Sequence, residues 1–160
     1  HRVLTGELDA ALLIEATRQD FKGLSWTRLY EEPLVLLVSA THSQGTDDAI
    51  ELLRTQPFIR YDRTTAVGRK VERFFRREAI EPKQILELNS IIGIAELVRQ
   101  RVGIAIIPLL RNFDWQHDPQ LRVLALPGAV EQRTVGILEQ GSKSHITGEV
   151  RNFLMATNTE

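Results

Sequence analysis

Runs of apolar residues predict two buried strands in the first quarter of the chain. Residues 9–14 and residues 34–38 are each largely uninterrupted apolar runs. The run at residues 34–38 is continuous, without alternation, which is typical of a strand that is covered on both faces, as in a parallel sheet. Between them, residues 25–30 alternate in type, which favours an extended segment near a sheet edge. Pro33 precedes the second run, and we expect it to begin a new strand.

Helical periodicity is clearest over residues 67–78. Val67, Val71, Phe74 and Phe75 recur at i, i+4, i+7 and i+8, so they form one apolar stripe. Other helices are expected over residues 47–54, with Thr46 or Asp47 as the N-cap, over residues 91–101, with Asn89 and Ser90 as the cap, and over residues 149–155.

Short apolar runs between these helices complete an alternation of strands and helices. This spacing is typical of βαβ units, so the sequence predicts an α/β domain with a largely parallel sheet. The remaining strands are expected over residues 57–61, 85–88, 103–108, 121–126 and 134–139.

The first residues are typical of the end of a helix. Residues 1–5 are followed by Gly6, and glycine is a common cap after the last turn of a helix. A globular domain seldom begins in this way. We therefore expect the chain to be a fragment that lacks an upstream strand and helix, with no initiator Met and no targeting segment.

Composition narrows the class of protein. A length of 160 residues is that of about one domain. The formal charge of −1 argues against a domain that mainly binds nucleic acid or an anionic membrane, since such binding needs excess positive charge. The longest apolar stretch, residues 102–110, is too short for a bilayer, which takes about 20 residues. We expect a cytoplasmic domain with no membrane partner.

Residue types needed for several chemistries are missing. The chain has no cysteine, which excludes disulfides, thiolate zinc sites and cysteine nucleophiles. The four histidines lack metal-ligand spacing, and phosphate-binding glycine loops and a nucleophile elbow are absent. His42 with Ser39 and Asp47 is better explained as solvated loop residues than as a triad. We therefore expect no metal, no other cofactor and no enzyme.

A cluster of basic residues lies on and before the helix of residues 67–78. It is either an anion or nucleic-acid site, or the solvated face of the helix, and we favour the second because Glu72 and Glu78 alternate with the cations. Arg63 is the exception, since it lies in the turn before the helix, where its guanidinium is placed to bind a ligand carboxylate. The cluster consists of Arg63, Arg69, Lys70, Arg73, Arg76 and Arg77.

The predicted strands over residues 34–38, 57–61 and 85–88 each end in a small polar cluster. Ligands of open parallel sheets bind beyond the carboxyl ends of the strands, where helix N-termini also offer N–H groups to an anion. We predict a site here for a small carboxylate or similar polar molecule, although the same residue types are also good N-caps. Its candidate residues are Ser39, Thr41, Thr64, Thr65, Asn89 and Ser90, with Arg63 beside them.

Several segments occur in an order that resembles the effector-binding domain of LysR-type transcriptional regulators. The most specific is L-V-R-Q-R-V-G-I-A-I-I-P at residues 97–108, which is similar to the family's L-V-x-x-G-x-G-I-A-x-L-P. Arg101 stands where the family often has glycine. The others are G-E-L-D-A-A-L at residues 6–12, E-P-L-V-L-L-V-S-A-T-H at 32–42, R-Y-D-R at 60–63 followed by Gly68 and Phe74-Phe75, and E-L-N-S at 87–90.

The resemblance implies a fold like the type 2 periplasmic binding proteins, with two Rossmann-like α/β lobes joined by two crossing strands and the effector between them. The family's first strand and helix of lobe one would be missing. On this chain, lobe one would comprise residues 1–39 and 115–160, and lobe two residues 40–114. The family's effector contacts would fall on Ser39, Thr41, Thr64, Thr65, Asn89 and Ser90.

The resemblance also implies a function, namely an effector-sensing domain that binds a small polar or anionic molecule and so modulates transcription. DNA would be bound through a helix-turn-helix domain that this sequence does not contain, and the full-length protein would be a homodimer or homotetramer. Cysteine-based peroxide sensing is excluded, because there is no cysteine. The alternative with the same fold is a periplasmic solute-binding protein of a transport system, which an export signal upstream would reveal.

Overall fold

The computed structural model describes residues 2–14, 23–41, 46–129, 131–141 and 144–156. Within these residues strands and helices alternate along the middle of the chain, which confirms the predicted α/β class. The strands are β1 (Ala10–Ile14), β2 (Leu24–Ser39), β3 (Pro57–Tyr61), β4 (Lys83–Leu88), β5 (Ala105–Pro108), β6 (Leu121–Ala125) and β7 (Gln132–Gln140). The helices are α1 (Ala49–Thr55), α2 (Ala66–Arg77), α3 (Ile91–Arg99) and α4 (Ser144–Ala156).

The chain divides into two compact units. Unit 1 comprises His1–Glu31 and Arg133–Glu160, and unit 2 comprises Glu32–Gln132. The lobe limits expected from the sequence, 39/40 and 114/115, both fall inside unit 2. They do so because the second half of β2 is hydrogen-bonded to β5 and β6 of that unit.

Strand β2 is one strand of 16 residues, so the predicted break at Pro33 is wrong. Proline removes a backbone donor but keeps its acceptor, and here the Pro33 carbonyl accepts a hydrogen bond from the Leu109 N–H at 2.8 Å. Residues 34–38 are fully buried, which confirms the prediction that this run is covered on both faces.

The direction of β2 differs from the prediction. It pairs antiparallel with both β5 and β6, so that Leu34 lies opposite Pro108. Parallel pairing is found between β3 and β4, and at the bridge between Phe58 and Ile104. A continuous apolar run shows burial on both faces, and burial alone does not fix strand direction.

Unit 2 has a core on both faces of its sheet, because successive side chains of a strand point to opposite faces. Phe58 of β3 packs in one apolar cluster with residues of α1 and α2. Its neighbour Ile59 packs in a second cluster with Ile94 and Val98 of α3. The three helices therefore cover the sheet from both sides, as the apolar stripes of the sequence require.

In unit 1, β1 pairs antiparallel with β7, and a buried carboxylate attaches α4 to this sheet. Glu139 of β7 is 1% exposed. It accepts a hydrogen bond from the Thr147 hydroxyl at 2.7 Å and forms an ion pair with Arg151. A buried carboxylate needs partners of this kind, since desolvation without them is costly.

Helix α1 begins slightly later than expected. Its N-cap is Asp48, whose carboxylate accepts from the N–H groups of Ile50 and Glu51, so the expected caps Thr46 and Asp47 are one or two residues too early.

Across the described ranges, no helix has both the length and the apolar character that crossing a bilayer requires.

Arg101 ends α3 in a strained backbone conformation. Its φ is +62°, in the left-handed region where a Cβ atom is unfavourable and glycine is not. The Arg101 N–H donates to the Val98 carbonyl and the Val102 N–H to the Leu97 carbonyl, both at 3.0 Å, as in a helix end that glycine closes. This gives the physical reason for the glycine that the family pattern carries here.

Arg101→Gly is therefore expected to raise the free energy of unfolding by about 0.5–1 kcal/mol, the strain relieved less the extra freedom of glycine in the unfolded chain. Urea unfolding of the variant and the parent measures the difference. Arg101→Ala is the matched control, because it removes the same long side chain but keeps the Cβ. A glycine variant no more stable than the alanine variant would contradict the prediction.

Candidate functional site

The polar segments after β3 and β4 lie at the same edge of the sheet of unit 2. The two strands are parallel, with Tyr61 opposite Leu88, and the Asp62 N–H extends the ladder by donating to the Leu88 carbonyl at 2.9 Å. The structure thus brings residues 63–65 and residues 89–90 to one edge, here called the carboxyl edge. Their role as ligand contacts stays a prediction.

Ser39 and Thr41 lie at the opposite edge. β5 runs parallel to β3 at the bridge between Phe58 and Ile104, and β2 is antiparallel to β5, so β2 ends where β3 begins. β3 has five residues, which separates the two edges by about 16 Å. Ser39 is buried, and its hydroxyl lies 3.2 Å from that of Thr41. The expected grouping of all the polar clusters is therefore wrong, because it assumed a parallel β2.

The turn after β3 is organised by hydrogen bonds of two threonines. The Asp62 carboxylate accepts from the Thr64 hydroxyl at 2.7 Å and from the Thr64 N–H at 2.8 Å. These two bonds, the hydroxyl first, hold the pKa of Asp62 below its usual value. The Thr65 hydroxyl donates to the Asp62 carbonyl at 2.7 Å and accepts from the Gly68 N–H at 2.9 Å. Thr65 is therefore the N-cap of α2.

Gly68 allows the first turn of α2 to pack directly on this turn. A Cβ at position 68 would lie 2.0 Å from the Asp62 carbonyl oxygen and 2.7 Å from the Arg63 Cα, well inside contact distance. The glycine that follows R-Y-D-R in the sequence thus fixes where the N-terminus of α2 meets the carboxyl edge.

Arg63 is held by an internal carboxylate. Its N–H donates to Glu87 Oε1 at 3.2 Å and its Nε to Glu87 Oε2 at 3.3 Å, and its guanidinium also bonds Gln84. The pKa of Glu87 is lowered, first by the Arg63 N–H. Glu87 thus occupies the position predicted for a ligand carboxylate. No local pattern indicates this contact, because Glu87 lies on a strand 24 residues away along the chain.

Asn89 and Ser90 differ in whether their side chains already have a hydrogen-bond partner in the described structure. The Ser90 hydroxyl accepts from the Gly93 N–H at 3.1 Å and is the N-cap of α3. The Asn89 side chain is exposed and makes no hydrogen bond with a described residue. Asn89 therefore presents an amide that is available to a ligand beside the N-terminus of α3.

The basic cluster mostly binds groups of unit 2. Arg69 and Lys70 donate to backbone carbonyls, while Arg73 and Arg77 form ion pairs with glutamates at 3.2 and 2.8 Å. These contacts agree with the solvated helix face favoured from the sequence. Arg76 differs, since its side chain has no ion pair or hydrogen bond to the described part of the chain.

The described residues contain no cluster of three histidine, aspartate or glutamate side chains that could hold a metal ion. His117 is exposed, and its Nδ1 contacts the Asp114 carboxylate. His42, weighed above as part of a triad, lies outside the described residues, as does His1.

The family is decided by a match along almost the whole chain. The family model described as the LysR substrate binding domain matches residues 1–155. The chain belongs to this family. A curated relative, a probable nitrogen assimilation transcriptional activator from Synechococcus elongatus, is 31% identical over 119 residues. That alignment covers 72% of this LysR domain and 38% of the relative, so the chain matches well under half of the relative's length.

Solved structures show the fold of the LysR domain. The regulatory domain of CcmR from Synechocystis PCC6803, in complex with 2-PG, has a TM-score of 0.77 at 21% identity and covers 100% of this chain and 78% of that one. The effector binding domain of QuiR with shikimate has a TM-score of 0.73 at 16% identity over 98% and 75%. DarR from Vibrio fischeri, in complex with DNA, has a TM-score of 0.77 at 16% identity, and the match covers 96% of this chain and 52% of DarR. The predicted type 2 periplasmic-binding-protein-like fold is confirmed.

The hydrogen bonds between Thr64 and Asp62 predict how a substitution at Thr64 changes the pKa of Asp62. In Thr64→Ala the Asp62 carboxylate loses a hydroxyl donor that stabilises its charged form, so the pKa of Asp62 is expected to rise toward that of a free aspartate. An NMR titration of the Asp62 side-chain carbon measures it. Thr64→Ser keeps the hydroxyl and should keep the low pKa. Equal values in the two variants would show that the hydroxyl is not the cause.

Proposed function

We propose that this chain is the effector-sensing domain of a bacterial, cytoplasmic LysR-type transcriptional regulator. The observation that carries the proposal is the family match over residues 1–155. A transcriptional activator among its relatives, and a structural neighbour in complex with DNA, support the regulatory function over that of a transport protein. The full-length protein would bind DNA through a helix-turn-helix domain and act as a homodimer or homotetramer.

The effector proposed is a small polar or anionic molecule that binds at the carboxyl edge of unit 2. Asn89 offers an exposed amide there, and Thr64 a hydroxyl. Thr65 and Ser90 cap α2 and α3 and so orient the first N–H groups of both helices, which attract anions. The complexes of neighbouring proteins with 2-PG and shikimate support a ligand of this class. Ser39 and Thr41 are left out of this site, because they lie at the other edge.

The effector would act by binding one conformation of the regulator more tightly than another. Such differential affinity shifts the population toward the favoured conformation and so changes DNA binding. In this proposal the domain does no chemistry on the effector and needs no cofactor. Arg63 becomes available when a carboxylate of the effector displaces the Glu87 carboxylate from the guanidinium.

Calorimetric titration tests the site, after a thermal-shift screen of small carboxylates, phosphates and sugars that includes 2-PG and shikimate. Asn89→Ala and Thr64→Ala are each expected to weaken binding of the selected compound about tenfold, the loss of one hydrogen bond to a polar ligand. Thr41→Ala is the matched control, since it removes an exposed hydroxyl from the opposite edge. Unchanged affinity in both edge variants would rule out this site.

Ser90→Ala is also expected to weaken binding, but through the structure of α3. Loss of the cap costs about 1 kcal/mol of stability, so its affinity has to be compared at a temperature where the variant is fully folded. Ser90→Asp keeps a capping group but adds a negative charge. If the effector is anionic, this variant should remain as stable as the parent and bind more weakly, as calorimetry and thermal unfolding measure together.

The coding sequence upstream of the codon for His1 distinguishes between a transcriptional regulator and a transport protein. A helix-turn-helix segment followed by a long linker helix is expected. A charged segment, an apolar core and a small-residue cleavage site would instead identify an exported solute-binding protein, and the proposal of transcriptional regulation would then be wrong.

A further inference from the structure

A cavity of about 720 Å³ lies where α1 and α2 end and β4 begins. Three arginines line it, namely Arg54 in the last turn of α1, Arg76 in the last turn of α2, and Arg60 of β3. Apolar walls are supplied by Phe75 and Ile80. None of the residues predicted to bind the effector lines this cavity.

Arg60 is the buried cation of the cavity, at 5% exposure. Its Nε donates to Gln84 Oε1 at 2.7 Å, its Nη1 forms an ion pair with Glu72, and its guanidinium lies over Phe75 at 5.3 Å. The remaining nitrogen, Nη2, has no hydrogen bond to a described residue. No fully buried side-chain nitrogen of the described residues lacks a partner, so Nη2 keeps some contact with solvent, and Arg60 is among the residues that line the cavity.

Arg54 and Arg76 add two cations that have no partner among the described residues. Both are exposed, and neither forms an ion pair or side-chain hydrogen bond with a described residue. An arginine in the last turn of a helix also interacts favourably with the helix dipole. The dipole, however, does not require arginines of two different helices and a buried arginine of a strand to line the same cavity. Glu72 and Glu81 also line it, so the cavity keeps a net positive charge.

We propose that this cavity is a second ligand site, which binds a small anion with carboxylate or phosphate groups. Guanidinium groups match both anions with paired hydrogen bonds, and the volume lies within the range of small-molecule sites. The walls of Phe75 and Ile80 suit a short carbon skeleton. The ion pair of Arg60 with the half-buried Glu72 uses Nη1, so a bound anion would give Nη2 a partner as well.

Titration of the ¹⁵N-labelled chain by NMR tests the proposal, with inorganic phosphate and succinate as separate probes. At least one is expected to shift the amides of residues 79–81 in a saturable way. Arg54→Gln and Arg76→Gln should each weaken this binding about tenfold, the loss of a charge-assisted hydrogen bond. Both positions are exposed, so these variants are expected to fold normally.

Arg73→Gln is the matched control, because it removes the same charge from the same helix, where Arg73 pairs with Glu131 outside the cavity. It should leave binding unchanged. Saturation by phosphate alone would identify phosphate esters as the ligand class, and saturation by succinate alone dicarboxylates. Loss of binding in Arg73→Gln equal to that in Arg76→Gln, or shifts that do not saturate with either probe, would overturn the proposal. Asn89→Ala should bind both probes normally, so this result is independent of the effector site.

Discussion

Two backbone hydrogen bonds at Ile104 connect the antiparallel and the parallel strands of unit 2. The Ile59 N–H donates to the Ile104 carbonyl and the Ile104 N–H donates to the Pro57 carbonyl, both at 2.8 Å. Ile104 is completely buried, so these bonds do not compete with water, and losing one would leave a buried polar group unpaired. They set β5 parallel to β3, and therefore decide that β3, β4 and β5 end at one edge while β2 ends at the other.

This connection explains which part of the site could be predicted from the sequence. Elements follow from local pattern, and the stripe of Val67, Val71, Phe74 and Phe75 is buried as expected. The caps Thr65 and Ser90 are equally local, since a hydroxyl bonds an N–H three residues later. Strand direction is not local. A buried strand has the same apolar run whether its neighbours are parallel or antiparallel, so nothing in residues 34–39 placed Ser39 away from Asn89.

Ion pairs between residues that are far apart along the chain could not be predicted from the sequence either. The pattern along α2 correctly predicts an outward-facing set of cations, but not which carboxylate each one meets. Arg73 pairs with a glutamate 58 residues away, and Arg63 with one 24 residues away. Arg60 lies on a strand outside the basic cluster, so its place beside Arg54 and Arg76 depends on how α1, α2 and β3 pack together.

The two groups of arginines differ in what an incoming anion must overcome. At the carboxyl edge, Glu87 holds Arg63 with a carboxylate whose pKa is lowered, so it stays charged at neutral pH and repels an anion that approaches the same guanidinium. A ligand with hydroxyl groups can bond Asn89 without this repulsion. In the cavity, by contrast, Glu72 already pairs with Arg60, and the open cations exceed the one remaining carboxylate, Glu81. Charge alone therefore favours anions at the cavity, whereas at the carboxyl edge an anion has to displace Glu87 from Arg63 and a neutral polar group does not.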